Sequence, residues 1–281
     1  MAITITSNIA SLLAQNNLTQ TSANLNKAIS RLSSGSRIVS AQDDPARLAI
    51  SEKLKSQIRG LDQSKRNAED GISLLQVAEG GMMEVGNILI RMKELALQAA
   101  NDTLSGDDRS FLETEFTQLK REIDRISKAT KFNGNTLLSG AYSTNGLTLQ
   151  VGITENSADL MTVNITSIST SALGSTTQRI DTVTISQSAG RARSMLKYIE
   201  KAISDLSEAR SQVGSQLSRL NSTIRNLGVT SMNLTAANSR VRDTDVAEET
   251  AELTKNQILM QAGVNVLAQA NSAPQAVLSL L

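Results

Sequence analysis

Nucleophilic, acid–base and metal chemistry leans on imidazole and thiol side chains, and this 281-residue chain has no His and no Cys. A Ser-His-Asp triad, a Cys-His pair, zinc-type ligand sets and disulfide scaffolds are thereby excluded. The stretch from Phe132 to Gln178 holds no glycine-rich phosphate loop, and no cofactor is expected. What remains are side chains that cap, pair and pack. Asp43 and Asp44 precede Pro45, which suits the first turn of a helix with one of the two aspartates as N-cap. The mixed charges from Arg240 to Glu252 read as an exposed helical face. The 28 basic and 27 acidic side chains leave a net charge of +1, too little to attract nucleic acid. With three Phe, two Tyr and no Trp, the core cannot lean on rings as compact globules do. An ordinary enzyme is already disfavoured.

The charges are placed unevenly. None occurs before Lys27 and none after Lys255. Neither end reads as a membrane span, because Asn, Gln, Ser and Thr interrupt every apolar run. The first 26 residues also lack the basic start and unbroken apolar stretch of a conventional signal peptide. Both ends instead show apolar residues at spacings of three and four. Ile5, Ile9, Leu12, Leu25, Ile29 and Leu32 form one stripe, and Leu253, Met260, Val264 and Leu267 the other. A soluble monomer gains little from stripping charge off two helices. Helices buried together in an assembly gain much, because unpaired charge is costly to desolvate.

Between these ends lie longer ladders. From Leu54 the series Ile58, Leu61, Lys65, Ala68, Ile72, Leu75, Ala78, Met82, Val85, Leu89, Met92, Ala96 and Ala99 alternates fours and threes. It breaks once, at Leu75 to Ala78, as a stammer that overwinds a coiled coil without ending it. A helix of roughly 70 Å follows from the rise per residue. Gly80 and Gly81 fall inside it and read as a local weak point. After a turn at 101–106, Leu112, Phe116, Leu119, Ile123 and Ile126 continue the pattern antiparallel. The most regular ladder runs Leu196, Ile199, Ile203, Leu206, Arg210, Val213, Leu217, Leu220, Ile224, Leu227, Ser231 and Leu234. The fold class predicted is mainly α: a long coiled-coil helical rod with paired N- and C-terminal helices and a small β-hairpin region.

That region lies between Phe132 and Gln178, where only Glu155 and Asp159 are charged. Leu147, Leu149, Val151 and Ile153 alternate with polar residues, as do Met161, Val163 and Ile165, with a turn at 155–158. A further short strand is expected at Thr182 to Ile185.

Several segments resemble bacterial flagellin. Leu32-Ser33-Ser34-Gly35-Ser36-Arg37-Ile38, Ala41-Gln42-Asp43-Asp44-Pro45-Ala46 and Leu48-Ala49-Ile50-Ser51-Glu52-Lys53 match its N-terminal signature. So do Glu94 through Asn101 and Phe132-Asn133-Gly134. Asn238 through Asp245, Gln257 through Gly263, and Val266 through Asn271 onward to Leu281 resemble its C-terminal region. The matches keep their order over roughly 1–140 and 182–281. One departure is Pro45, Ala46 and Arg47, where the family often has two alanines and a glycine.

The resemblance implies an inner-tube coiled coil of 1–34 with 250–281 and an outer-tube helical domain of 35–140 with 182–249. A short variable region at 141–181 stands where large family members carry inserted domains. A spoke at 33–46, with Gly35, Arg37, Asp43 and Asp44, joins the tubes and is the expected place of a conformational switch. The implied partner is the chain itself, as a helical homopolymer forming the extracellular flagellar filament. An export chaperone, the type III export apparatus, the filament cap and hook-associated proteins are implied beside it. Arg91, Leu95 and Glu115 match positions read by a vertebrate Toll-like receptor, though Ile90 and Lys93 depart from that pattern. O-linked sugars, as in some relatives, would fall on the Ser/Thr-rich stretch 139–188. A hook–filament junction protein of the same superfamily and a generic secreted coiled-coil protein are the alternatives. A zinc-protease insert is excluded by the absence of His.

Overall fold

The computed structural model describes residues 8–174, 179–182 and 184–278, excepting the side chains of 273–278. Five long helices dominate: α1 (Ile9–Ser34), α2 (Pro45–Ala99), α3 (Gly106–Ala129), α4 (Ala189–Arg242) and α5 (Val246–Leu278). Two antiparallel hairpins sit between α3 and α4, β1 (Lys131–Phe132) with β2 (Asn135–Thr136) and β3 (Leu147–Gln150) with β4 (Leu160–Val163). The chain is mainly α, and it divides into two compact units, 1–58 with 232–281, and 59–231.

Local chemistry sets the helix ends. Asp44 is the N-cap of α2, accepting the Arg47 amide at 2.9 Å, and Pro45 occupies the first turn, where a missing N–H costs nothing. The far end of α2 is closed by cations, as its exposed carbonyls favour. Arg109 donates to the Ala99 and Asn101 carbonyls at 3.2 and 3.0 Å, and Arg193 to that of Ala100 at 3.3 Å. A reciprocal capping box opens α3. Ser105 Oγ accepts the Asp108 amide at 3.2 Å, and the Asp108 carboxylate accepts the Ser105 amide at 3.0 Å.

In the unit 59–231 one continuous core runs along α2, α3 and α4. Leu75, Met82, Leu89 and Met92 of α2 meet Phe116 and Ile123 of α3 and Met195, Ile199 and Leu206 of α4, all buried. Leu138, Ile165, Ile168 and Ile180 enter the same core from the stretch around the hairpins. The ladders thus describe the seams, with two shifts. Lys65 and Arg210 are exposed, and the buried positions fall one residue earlier, at Ser64 and Ala209. Ser64 is the more instructive, because its hydroxyl donates to the Gly152 carbonyl at 2.9 Å and ties α2 to the segment after β3.

Helix α2 runs unbroken across Gly80 and Gly81. Gly81 is a packing notch. A Cβ there would stand 2.7 Å from Leu138 Cδ1 and 2.8 Å from Thr130 Oγ1. Gly71 serves the same end for Leu149 of β3. The strand expected at 182–185 does not form among the described residues: Ile180–Thr182 is a short 3-10 turn. Its Ile180 and the following Ile185 fill the core from irregular backbone instead. The hairpin β1–β2 was not foreseen. Its signal is Asn133-Gly134, both at positive φ (47° and 83°), the pair that closes a two-residue turn.

The adjacent glycines of α2 should respond to alanine with opposite signs. Gly80 has nothing within 4 Å of a new Cβ, so Gly80→Ala should stabilise by about 0.5–1 kcal/mol through helix propensity. Gly81→Ala should destabilise by about 1–3 kcal/mol through overpacking. Thermal unfolding of the two variants checks this.

Candidate assembly surface

Helices α1 and α5 pack antiparallel. At one end Asn8 Nδ2 donates to the Ala270 carbonyl at 2.8 Å, and at the other Arg31 faces Glu249 at 3.7 Å. From α1 the seam takes Ser11, Ala14, Leu18, Thr21, Leu25, Ala28 and Leu32, strictly alternating threes and fours. From α5 it takes Glu249, Leu253, Asn256, Met260, Gly263, Leu267 and Ala270, alternating fours and threes. Most of these are small or polar. Small side chains let the backbones approach closely, as Gly263 shows, where a Cβ would stand 3.1 Å from Leu18 Cγ. Asn256, buried in the seam, is satisfied within its own helix by the Glu252 carbonyl at 2.8 Å.

The large apolar side chains divide between the seam and the outward faces. Of the residues expected to line one stripe, Leu25, Leu32, Leu253, Met260 and Leu267 are half-buried in the seam. Ile9 and Leu12 are 63% and 59% exposed, and Ile29 and Val264 are 48% and 53% exposed. Ile5 lies outside the described residues. The apparent stripe therefore merges two faces. Its outward members are joined by Leu13, Ile258, Leu259 and Val266, also exposed. Between the helices a groove of about 410 Å³ is lined by Ala14, Leu18, Thr21, Leu259, Gly263 and Val266. Charge enters these faces only at their inner ends, at Lys27 and Arg31 beside Ile29 and at Lys255 one turn before Ile258 and Leu259.

Where the pair ends, polar contacts concentrate. Gly35, at φ 66°, caps α1 in the left-handed conformation that glycine adopts without penalty. The chain then bridges to the α4–α5 link. The Arg37 amide donates to the Arg242 carbonyl at 2.7 Å, and the Thr244 amide to the Gly35 carbonyl at 3.1 Å. The Arg37 guanidinium donates to the Val241 carbonyl at 3.1 Å, placing a cation on the C-terminal end of α4. Asp43 gathers the rest. One oxygen accepts the Val39 and Ser40 amides at 3.2 and 3.1 Å, and the other meets Lys27 Nζ of α1 at 2.7 Å. Together the Lys27 ammonium and the Ser40 amide hold the Asp43 carboxyl at a pKa of about 2, below its usual 3.8.

The expected receptor positions divide. Arg91 and Glu115 are exposed and bonded to each other at 2.9 Å, with Glu94 on the same guanidinium at 3.0 Å. Leu95 is 1% exposed, so it supports the α2 core and offers no surface to a partner. Among the described residues no cluster of His, Cys, Asp and Glu is placed to hold a metal ion, and no helix is long and apolar enough to cross a membrane.

Two family models cover the elements just described. The bacterial flagellin N-terminal helical region matches residues 5–143, and the bacterial flagellin C-terminal helical region matches 196–281. The chain belongs to the flagellin family. A flagellin of Halalkalibacterium halodurans is 47% identical over 255 residues, covering 91% of each chain. A flagellin of Treponema pallidum is 38% identical over 283 residues, covering 99% of each, so this flagellin and that one have nearly the same extent. A solved structure from Vibrio parahaemolyticus, described as a flagellar hook-associated protein, has a TM-score of 0.62 at 18% identity, covering 72% of this chain and all of that one. That likeness shows a shared fold. The flagellin identities separate filament subunit from junction protein, and this flagellin is a subunit of the flagellar filament, a structural polymer.

The Lys27–Asp43 contact makes flagellin's linking segment acid-sensitive. A depressed carboxylate pKa contributes stability that is complete above the ordinary value of 3.8 and is lost as pH falls through about 2. Amide exchange at Val39 and Ser40 should therefore accelerate between those two values. In Asp43→Asn it should be fast throughout and insensitive to pH beyond the intrinsic dependence of exchange.

Proposed function

We propose that this flagellin polymerises by covering the outward apolar faces of α1 and α5 with the same helices of neighbouring copies. The observation that carries this reading is the placement of Ile9, Leu12, Leu13, Ile29, Ile258, Leu259, Val264 and Val266 on exposed helix faces whose charge is confined to the inner ends, at Lys27, Arg31 and Lys255. Each is about half exposed, and completing their burial is worth on the order of 10 kcal/mol per subunit before the cost of association. A helical polymer needs two different patches on each copy, so that addition never closes. The α1 face and the α5 face supply such a pair.

On this reading the helices 1–34 and 250–281 form an inner tube, with the outer tube built from 35–140 and 182–249. The segment 141–181 is the short remnant of a variable region. The spoke at 33–46, held by Gly35, Arg37, Asp43 and Asp44, is where the filament would change conformation. The chain reaches the cell exterior through the flagellar type III export apparatus with a dedicated chaperone, and is placed between hook-associated proteins and the filament cap. The polymer serves as the propeller of swimming motility. A vertebrate Toll-like receptor is a further partner, reading the exposed Arg91–Glu115 pair. Arg91→Ala should then weaken a receptor-reporter response, and an unchanged response would make the pair purely structural.

Seeded assembly followed by electron microscopy tests the main proposal. Leu12→Asp and Val264→Asp keep the seam between α1 and α5 untouched, so helix content should stay near that of the parent while long tubes fail to grow. Tubes of normal length and yield from either variant would overturn the proposal.

A further inference from the structure

The sequence contains two Asn-Gly pairs in the hairpin region, Asn133-Gly134 and Asn145-Gly146. Glycine after asparagine leaves the backbone nitrogen open to the neighbouring amide carbon, since no side chain screens it. Ring closure also needs a particular geometry: the glycine nitrogen must rotate to the same side of the backbone as the asparagine Cβ. The two pairs differ sharply in how freely they can do so.

Asn133 and Gly134 are the central residues of the turn joining β1 to β2, with Phe132 paired to Asn135 across it. Positive φ at both places them in a type I′ turn, whose first central ψ is about +30°. At that ψ the glycine nitrogen lies nearly opposite Cβ, the least favourable arrangement for attack. Leaving it means undoing a hairpin whose following residues, Leu137 and Leu138, are fully buried.

Asn145 is held by nothing comparable. Its side chain is exposed and has no hydrogen-bond partner among the described residues. The backbone around it is irregular. Tyr142 is anchored by the Ile165 amide at 3.2 Å and Ser143 bonds back to the Gly140 carbonyl at 3.2 Å, and regular pairing resumes only at Leu147. Thr162 and Asn164 of the facing strand and its end leave no room for a Cβ at Gly146, so the space beside that glycine is filled. The glycine is thus confined on one side by β4, while the asparagine before it has no such contact.

We propose that Asn145 is a site of self-catalysed deamidation and that Asn133 is protected from it by the fold. The Gly146 nitrogen attacks Asn145 Cγ, forming a C–N bond. The Cγ–Nδ2 bond breaks, and ammonia leaves carrying the proton given up by the glycine nitrogen. Water then opens the five-membered imide at either carbonyl, leaving aspartate or isoaspartate. No oxidant, metal or second protein is consumed. The product adds a third negative charge to the stretch 132–178, which otherwise carries only Glu155 and Asp159. The iso form lengthens the backbone by one methylene just before β3. With Gly146 confined by β4, residues 143–145 take up that extra length and the Leu147–Val163 register stays intact.

The test is incubation of the native protein in mildly alkaline buffer, with fragment-ion mass spectrometry assigning mass gain to individual residues. Asn145 should convert at least about tenfold faster than Asn133, the factor expected from a barrier difference of about 1.4 kcal/mol. In concentrated urea the two rates should converge. Asn145→Gln should remove most of the ammonia released by the native protein. Equal conversion of the two in the native state, or an Asn145 inert when native yet reactive in urea, would overturn the proposal. A preference for Asn145 that persists unchanged in urea would also overturn it, since local sequence and not the fold would then be its source.

Discussion

The seam between α1 and α5 is the constraint on which the rest depends. Two helices that used their leucines and isoleucines against each other would make a stable pair with a polar exterior. Here the seam alternates Leu18, Leu25, Leu32, Leu253, Met260 and Leu267 with Ser11, Ala14, Thr21, Ala28, Asn256, Gly263 and Ala270, and a second set of bulky side chains, among them Ile9, Leu12, Ile258 and Val264, is left facing outward. Small seam residues let the backbones approach closely, while the seam leucines are covered only in part. The outward faces hold apolar area that the pair alone cannot cover. Assembly is thus written into which face received the large residues.

A second consequence concerns the unit 59–231. That unit is built the opposite way. Its large apolar residues, among them Phe116, Met82, Leu89 and Ile199, point inward and are essentially fully buried. Glycines on α2 act as sockets for Leu138 and Leu149, so irregular segments lock onto a continuous helix without a third layer of secondary structure. Within one chain, small residues therefore mean two things. At Gly81 the socket is filled by the same molecule, while around Gly263 a groove stays open.

The sequence showed the helices plainly, because heptad spacing over fifty residues has no other reading. It placed α2 and α4 well and erred by one residue where a charged side chain sat on the ladder, as at Lys65 and Arg210. There, long side chains lean out of the seam and the adjacent small residue takes the buried place. The terminal stripes were legible as apolar and uncharged, but hydrophobicity alone could not say which members face the partner helix. Scoring small residues at the same spacing would have found Ser11, Ala14, Thr21 and Ala28. Leu95 misled for a related reason: a residue matched by motif is not thereby exposed, and its ladder neighbour Ala96 marks the inward face. The 182–185 strand was misplaced because apolar residues plugging a core from coil alternate much as strands do. In the hub around Arg37 and Asp43, Arg37 meets Val241 and Arg242 some two hundred positions away, and no local pattern encodes such contacts.

The boundary of charge acquires a physical meaning at that hub. Lys27 and Arg31 are the first charged residues of the chain, and they meet Asp43 and Glu249. Toward the C-terminus Lys255, paired with Glu252, is the last. Charge therefore appears where α1 and α5 approach the linking segments, and it appears already paired. Beyond that line, any charge would have to lose its water when a neighbour arrives, a cost of several kcal/mol for an unpaired ion. A surface that must remain soluble as a monomer yet dry as a polymer cannot be both charged and well packed. The chain meets that conflict with Asn, Gln, Ser and Thr interleaved among the apolar residues of both ends. These hydrate the free chain, and their hydrogen bonds can be replaced by bonds to a neighbour at far smaller cost than an ion pair would incur.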